Sequence, residues 1–184
     1  MSAARAGGII ANSQNQKDFF LVNIEIQNSL LKLALKKKIK RTIFLGTSCI
    51  YPKFSKIPIK EDSLLSGKLE KTNQCYAIAK IAGIKLCEAL KEDYKLDVIC
   101  LMPTNVYGHN DNFNKINGHV IPAIISKVEE AKKQKKKKVK LLGTGKPLRE
   151  FIHAEDLASA ILFSLKLKKS TIKRKFGLRL PVIN

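Results

Sequence analysis

The sequence predicts an α/β fold built on a parallel sheet. Two short apolar runs, Arg41–Leu45 and Leu96–Met102, are rich in β-forming residues, and each is closed by a breaker, Gly46 or Pro103. A stretch of helical periodicity precedes each run. At 184 residues and 45% hydrophobic content, the chain can bury one real core. Runs that are apolar without alternation suit strands buried on both faces, and strands alternating with helices imply parallel pairing through helical crossovers.

The elements follow in order. Asp18 to Lys38 puts Phe20, Ile24, Leu31 and Leu35 on one helical face. The strand Arg41–Leu45 comes next, followed by a loop from Tyr51-Pro52 through Pro58 to Gly67 that is punctuated by Pro, Ser and Gly. Thr72-Asn73 suits the cap of a helix running to about Tyr94, with Ile78, Ile81, Ala82, Leu86 and Ala89 on its apolar side. After the strand Leu96–Met102, a helix runs from about Val120 into a lysine run. Val139–Leu142 reads as a strand, Gly143–Pro147 as a turn, Arg149–His153 as a short strand, and Ala154 as the start of a last helix. From Lys166 onward the composition degenerates into a basic tail, of which Thr171 to Asn184 is not expected to pack on the core. Residues 1–165 are therefore read as one domain and 166–184 as a loosely ordered tail. Ligands of parallel sheets sit beyond the carboxyl ends of the strands, where Gly46-Thr47-Ser48 and Pro103-Thr104-Asn105 both fall.

The net charge of +20 invites a nucleic-acid reading, but only five arginines accompany the lysines, and the aromatics do not alternate with basic residues as on a stacking surface. Neither a nucleic-acid partner nor a membrane partner is expected. No apolar run reaches the roughly 20 residues that span a bilayer, and Met1–Ile10 lacks the long apolar stretch of a secretory signal. A soluble cytoplasmic setting is the expectation. The cysteines Cys49, Cys75, Cys87 and Cys100 are dispersed, as are the three histidines, so no metal site is predicted.

Tyr76 and Lys80 carry the most chemical information. Four residues apart on a helix, they share a face about one turn apart. An ammonium beside a phenol favours the phenolate, so the pair is expected to lower the Tyr76 pKa. Such a Tyr exchanges a proton with a sugar or alcohol oxygen while a nicotinamide moves the hydride. In a lysine-rich chain the pair also arises by accident, and its weight comes from the segments around it.

Those segments are Phe44-Leu45-Gly46-Thr47-Ser48-Cys49-Ile50-Tyr51-Pro52-Lys53, Tyr76 to Cys87, Met102-Pro103-Thr104-Asn105 with Asn110-Asp111-Asn112-Phe113, His119-Val120-Ile121-Pro122-Ala123, and Gly143-Thr144-Gly145 with Arg149-Glu150-Phe151. From about Ala3 to Leu165 the chain resembles the extended short-chain dehydrogenase/reductases, and within them the GDP-L-fucose synthases. The resemblance implies a Rossmann-like, doubly wound parallel sheet. It also implies a reaction in which GDP-4-keto-6-deoxy-D-mannose is epimerised at C3 and C5 and then reduced at C4 with NADPH. A sister nucleotide-sugar epimerase or dehydratase is the near alternative. A non-catalytic remnant that binds a nucleotide sugar or a partner chain is the alternative of another class.

Residue by residue, the resemblance makes Thr47 the hydroxyl bonded to the C4 oxygen and Tyr76 the proton donor. Lys80 would bind the nicotinamide ribose, Cys49 would act as the base and His119 as the acid of epimerisation. It places NADP(H) against Leu45, Gly46, Thr47, Ser48, Tyr76, Lys80, Pro103, Thr104, Asn105, Val106 and His119, and the GDP-sugar against Lys127, Leu142 and Arg149. The complete enzyme is expected to be a homodimer. Leu142 stands where the family often has Trp, and Gln74-Cys75 where Glu-Pro is common. The Gly-rich strand-turn-helix that holds the dinucleotide pyrophosphate in this family does not occur in the chain, and the resemblance stops after Leu165. The fold is therefore expected to be a partial one, lacking its N-terminal Gly-rich βαβ unit and with a truncated C-terminal substrate lobe.

Overall fold

The computed structural model describes residues 1–141, 143–176 and 182–183. The short helix α1, Ile9–Gln14, is tied at its start by the Asn12 side-chain amide, which donates to the carbonyls of Gly7 and Gly8 at 2.7 and 3.1 Å. Helix α2, Gln16–Lys36, leads into strand β1, Thr42–Leu45. Helix α3, Gln74–Tyr94, leads into strand β2, Val98–Leu101. Lys95 ends α3 in the left-handed region, at φ 58°, where its N–H reaches back to the Lys91 carbonyl and the next N–H, of Leu96, to the Leu90 carbonyl. Strand β3, Asn105–Tyr107, follows within a few residues, then helix α4, Val120–Lys133. Strand β4 is Phe151–His153, helix α5 Ala154–Lys166, helix α6 Lys169–Phe176 and strand β5 Val182–Ile183.

Strands β1, β2 and β5 form one sheet in that order, all parallel, with Thr42 opposite Val98 and Leu45 opposite Leu101. The period of two sends Phe44, Val98 and Cys100 to one face, where they join Leu31, Ile84 and Cys87 from α2 and α3. It sends Ile43, Ile99 and Leu101 to the other face, where Ile161 and Ile172 meet them. Helices on both faces of a parallel sheet make the doubly wound arrangement that the sequence predicts. Strands β3 and β4 pair in parallel as a second, two-stranded sheet.

Two details hold the layers in place. A Cβ at Gly83 would lie 2.5 Å from Phe44 Cζ and 2.6 Å from Gln27 Oε1, so only glycine lets α2, α3 and β1 meet there. Arg41 pairs with Asp97 at 3.0 Å and donates to the carbonyls of Ser164, Leu165 and Leu167, capping the end of α5 with a nearly buried cation.

Several expectations are corrected. Residues 139–141 form no strand, and Leu142 lies outside the described residues. Asn105–Tyr107, to which no element was assigned, is a strand because it finds Phe151–His153 as its partner. The tail does not stay loose in its described part. Ile172 of α6 is buried against Ile43, Ile99 and Leu101, and β5 pairs with Cys100 and Leu101. A composition dominated by Lys hid the few apolar residues that do the packing.

The inward faces of the helices are also displaced. In α2 the buried set is Phe19, Asn23, Gln27, Leu31 and Ala34, with Phe20 and Ile24 less buried. Asn23 is admitted because its amide donates to Arg5 and Phe19 carbonyls, and Gln27 because its amide donates to the Ala79 carbonyl at 2.7 Å. In α3 Ile78 and Ala89 are exposed while Lys80 is buried.

Candidate active site

The site is assembled at the carboxyl end of β1. Gly46 follows the strand directly, and a Cβ there would run into the Sδ atom of Met102. Its N–H donates to the Leu101 carbonyl at 2.9 Å, and the Ser48 N–H donates to the Pro103 carbonyl at 3.2 Å. These two bonds carry the β1–β2 pairing beyond the strand ends and stitch Gly46-Thr47-Ser48 to Pro103. Thr47 is extended and caps a turn of 3₁₀ helix, Ser48–Ile50, its Oγ1 accepting from the Cys49 N–H at 3.3 Å. Its own hydroxyl proton stays available for donation.

Helix α3 packs on that turn and supplies Tyr76 and Lys80. The Phe19 ring meets Tyr76 edge-on, 6.3 Å between centroids. Lys80 is only 6% exposed. Its Nζ donates to the Leu45 carbonyl at 3.0 Å and lies 5.4 Å from the Phe44 ring centroid and 5.9 Å from that of Tyr76. Ring faces attract a cation, which offsets part of its desolvation, yet burial still lowers the Lys80 pKa.

The phenol departs from expectation. Burial first, and the charge of a neighbouring Cys49 second, push the Tyr76 pKa well up instead of down. The ammonium is engaged with the Leu45 carbonyl and faces the ring, so desolvation dominates. Tyr76 is expected to ionise above the ordinary tyrosine value of about 10. Replacing Cys49 by Ala should bring it partly back. A spectrophotometric titration of wild type, Cys49→Ala and Tyr76→Phe checks this, and a high-pH step that survives in Tyr76→Phe would contradict it.

Asn105 opens β3, where both its backbone and its side-chain N–H groups donate to the Glu150 carbonyl, at 3.3 and 3.0 Å. Thr104 and Val106 flank it, partly buried. His119 precedes α4 as its N-cap residue, with Nδ1 3.8 Å from an Asp111 carboxylate oxygen. Its loop is fixed by Asn114, whose Oδ1 accepts from the N–H groups of Ile116 and Asn117, both at 2.9 Å. A strap from the N-terminus ties this loop to the rest: the Gly8 N–H donates to the Asn117 carbonyl at 3.0 Å, and Gly7 lies against Phe19, the residue that touches Tyr76.

The structure thus brings Thr47, Cys49, Tyr76 and Lys80 together with Leu45, Gly46, Ser48 and Pro103. His119 is linked to them through Phe19 and the strap. Lys127 lies two turns along α4 from His119, whereas Arg149 is exposed and, among the described residues, donates only to the Leu148 carbonyl at 2.7 Å. Sequence reasoning missed Phe19 and gave Met102 and Asp111, quoted only within motifs, no role of their own. The signal for the strap was the pair Gly7-Gly8, where side chains would strike Phe19 and the Gly118 carbonyl.

Among the described residues no helix is long and apolar enough to cross a membrane. The chain is 51% identical over 164 residues to "Probable GDP-L-fucose synthase 1" of Oryza sativa subsp. japonica, covering 89% of this chain and 50% of that protein. It is 46% identical over 167 residues to "GDP-L-fucose synthase" of Escherichia coli K12, covering 91% and 52%. It therefore spans about half the length of the curated relatives it matches. A solved GDP-L-fucose synthetase of Naegleria fowleri bound to NADP superposes with a TM-score of 0.77 at 30% identity, over 89% of this chain and 53% of that one. Residues 1–176 match the family described as NAD dependent epimerase/dehydratase. With that match running over nearly all of its length, and with the doubly wound parallel sheet it forms, the chain belongs to the NAD dependent epimerase/dehydratase family.

Proposed function

We propose that the chain supplies the catalytic middle of a GDP-L-fucose synthase, acting on GDP-4-keto-6-deoxy-D-mannose by epimerisation at C3 and C5 and reduction at C4. One observation supports this above the others: Thr47, Cys49, Tyr76 and Lys80 converge at the end of β1, within the region shared with relatives that bear that name. A nicotinamide cofactor, when bound, supplies the hydride; NADP(H) is preferred on the strength of the Naegleria relative.

The residues present fit the nicotinamide–ribose end of such a cofactor. Lys80 spends one donor on Leu45 and keeps two for ribose hydroxyls, and Pro103 to Val106 lie beyond the end of β2. The Gly-rich segment for the pyrophosphate is not in the chain.

Each residue then has a defined task. The 4-keto group acidifies the protons on C3 and C5. Cys49, as thiolate, removes one of them, and His119, as imidazolium, returns a proton to the opposite face, with Asp111 orienting its ring. Thr47 donates to the C4 oxygen. Tyr76, kept protonated by burial, delivers its phenolic proton to that oxygen as the alcohol forms. Lys127 and Arg149 are assigned to the diphosphate and sugar hydroxyls, and Leu142 to the substrate pocket. The complete enzyme is assigned to the cytoplasm as a homodimer, with neither nucleic acid nor membrane as partner.

Solvent deuterium exchange at C3 and C5 tests the assignment in a chimera joining this chain to the parts of the Escherichia coli relative outside the matched region. Cys49→Ala and His119→Ala should suppress exchange while leaving reduction of an already epimerised keto-sugar largely intact. Equal exchange in variants and parent would remove both residues from the chemistry.

A further inference from the structure

The residues of the proposed chemistry sit on different parts of the chain. Thr47, Cys49, Tyr76 and Lys80 belong to the turn after β1 and to α3, whereas His119 arrives on the segment 108–119. That segment is fixed within itself. Asp111 Oδ1 accepts from the Asn112 N–H at 2.7 Å, Asn112 Oδ1 from the Asn114 N–H at 3.0 Å, and the Gly118 N–H donates to the Asn114 carbonyl at 2.9 Å. These bonds keep Asp111 near His119 but do not set where the pair stands relative to Tyr76. Among the described residues, one backbone hydrogen bond joins the segment to anything other than α4. It runs from the Gly8 N–H to the Asn117 carbonyl, at 3.0 Å.

The backbones approach closely there because both are glycine. A Cβ on Gly8 would lie 2.5 Å from the Gly118 carbonyl, and Gly118 directly precedes His119. Gly118 is itself packed on the Asn112 and Asn114 carbonyls, so a push on it is passed to the whole loop. On the other side, a Cβ on Gly7 would lie 3.3 Å from the Phe19 ring, which touches Tyr76. Asn12 holds the two glycines in this orientation. Its side-chain amide donates to both of their carbonyls, it is only 6% exposed, and its Oδ1 has no hydrogen-bond partner among the described residues. A buried acceptor left idle is costly, so the donors are what this side chain contributes. Gly7-Gly8 thus forms a clamped spacer between Tyr76 and His119.

We propose that Gly8 and Asn12 are positioning residues for the epimerisation, the strap they form setting where His119 delivers its proton on the sugar ring. The inference rests on the role assigned to His119 above. An acid displaced by about 1 Å loses up to about 100-fold in rate, so the spacer matters to the epimerisation more than its distance from the chemistry suggests. The reduction is insulated from Gly8. The nearest neighbours of a Cβ there are all in Asn117 and Gly118, while Thr47, Tyr76 and Lys80 are held by β1 and α3.

Two measurements test this. In the chimera described above, Gly8→Ala and Asn12→Ala should each lower deuterium exchange at C3 and C5 about tenfold or more, with reduction of an already epimerised keto-sugar kept within about twofold. Asn12→Ala introduces no clash, so it decides the matter should Gly8→Ala fold poorly. Ile9→Ala, at an exposed neighbour on α1, should change neither rate. In the chain itself, NMR of the His119 ring, assigned among the three histidines by His119→Ala, should show the signal moved in Gly8→Ala and Asn12→Ala and unmoved in Ile9→Ala. Equal loss of exchange and reduction would make the strap merely structural, and unchanged exchange or an unmoved ring signal would also overturn the proposal. A parent chimera with neither exchange nor turnover would count against the fucose-synthase reading, and the ring signal would then decide the placement of His119 by itself.

Discussion

Tyr76→Phe is expected to lower NADPH oxidation by GDP-4-keto-6-deoxy-mannose about 100-fold or more in a chimera that completes this chain. The change deletes one oxygen and keeps the ring, so the edge contact with Phe19 and the face offered to the Lys80 ammonium both survive. On the proposed assignment, what would be lost is the proton delivered to the C4 oxygen, and general acid catalysis contributes on the order of 100- to 10,000-fold. Because burial holds the phenol in its protonated form, the acid is present throughout the neutral range and the parent rate should show no loss from Tyr76 ionisation there. Lys80→Met should instead raise KM for the cofactor as well as lower kcat, through loss of the ribose contact. A Tyr76→Phe enzyme with parental turnover would end the assignment.

The largest expected effect on stability is at Gly83. Gly83→Val would press methyl groups into Phe44 and Gln27, the first fully buried and the second anchored to Ala79. Neither neighbour has solvent to move into. Overpacking of a rigid core costs about 1–3 kcal/mol and occasionally more. The double clash puts this change at the upper end, at least about 3 kcal/mol, a large fraction of the 5–15 kcal/mol that stabilises a typical domain. Urea unfolding followed by circular dichroism measures it, and an unchanged midpoint would mean that α2 and α3 separate more easily than their packing indicates. Gly83→Ala should show the same sign, reversing the gain in helix propensity that Ala brings elsewhere.

The strands and long helices were legible because β1 and β2 are apolar without interruption and are followed by Gly46 and Pro103. The roles of Thr47, Cys49, Tyr76, Lys80 and His119 came from resemblance, and the sequence alone placed only Tyr76 and Lys80 on a shared face. The facing of the helices was misread for a physical reason. Asn23, Gln27 and Lys80 point inward because backbone carbonyls satisfy them, and a hydrophobicity pattern cannot register a polar group whose partner lies 52 residues away, as for Gln27 and Ala79. β3 and β5 were missed because a strand of two or three residues is defined by its partner, not by its own composition. The direction of the Tyr76 shift was misjudged because spacing reports proximity to a cation and says nothing of desolvation.

The stitches from Gly46 to Leu101 and from Ser48 to Pro103 have a kinetic meaning. A loop carrying a hydroxyl and a thiol would ordinarily open and close independently of the scaffold, at the low end of local stability. Here the Gly46 and Ser48 amides are bonded to the Leu101 and Pro103 carbonyls, so they are expected to exchange with solvent together with the β1–β2 pair. The conformational entropy of the loop is consequently lost during folding, before any ligand arrives. On the proposed roles, a substrate meeting Thr47 and Cys49 would find them already aimed, with little of its binding free energy diverted to ordering them.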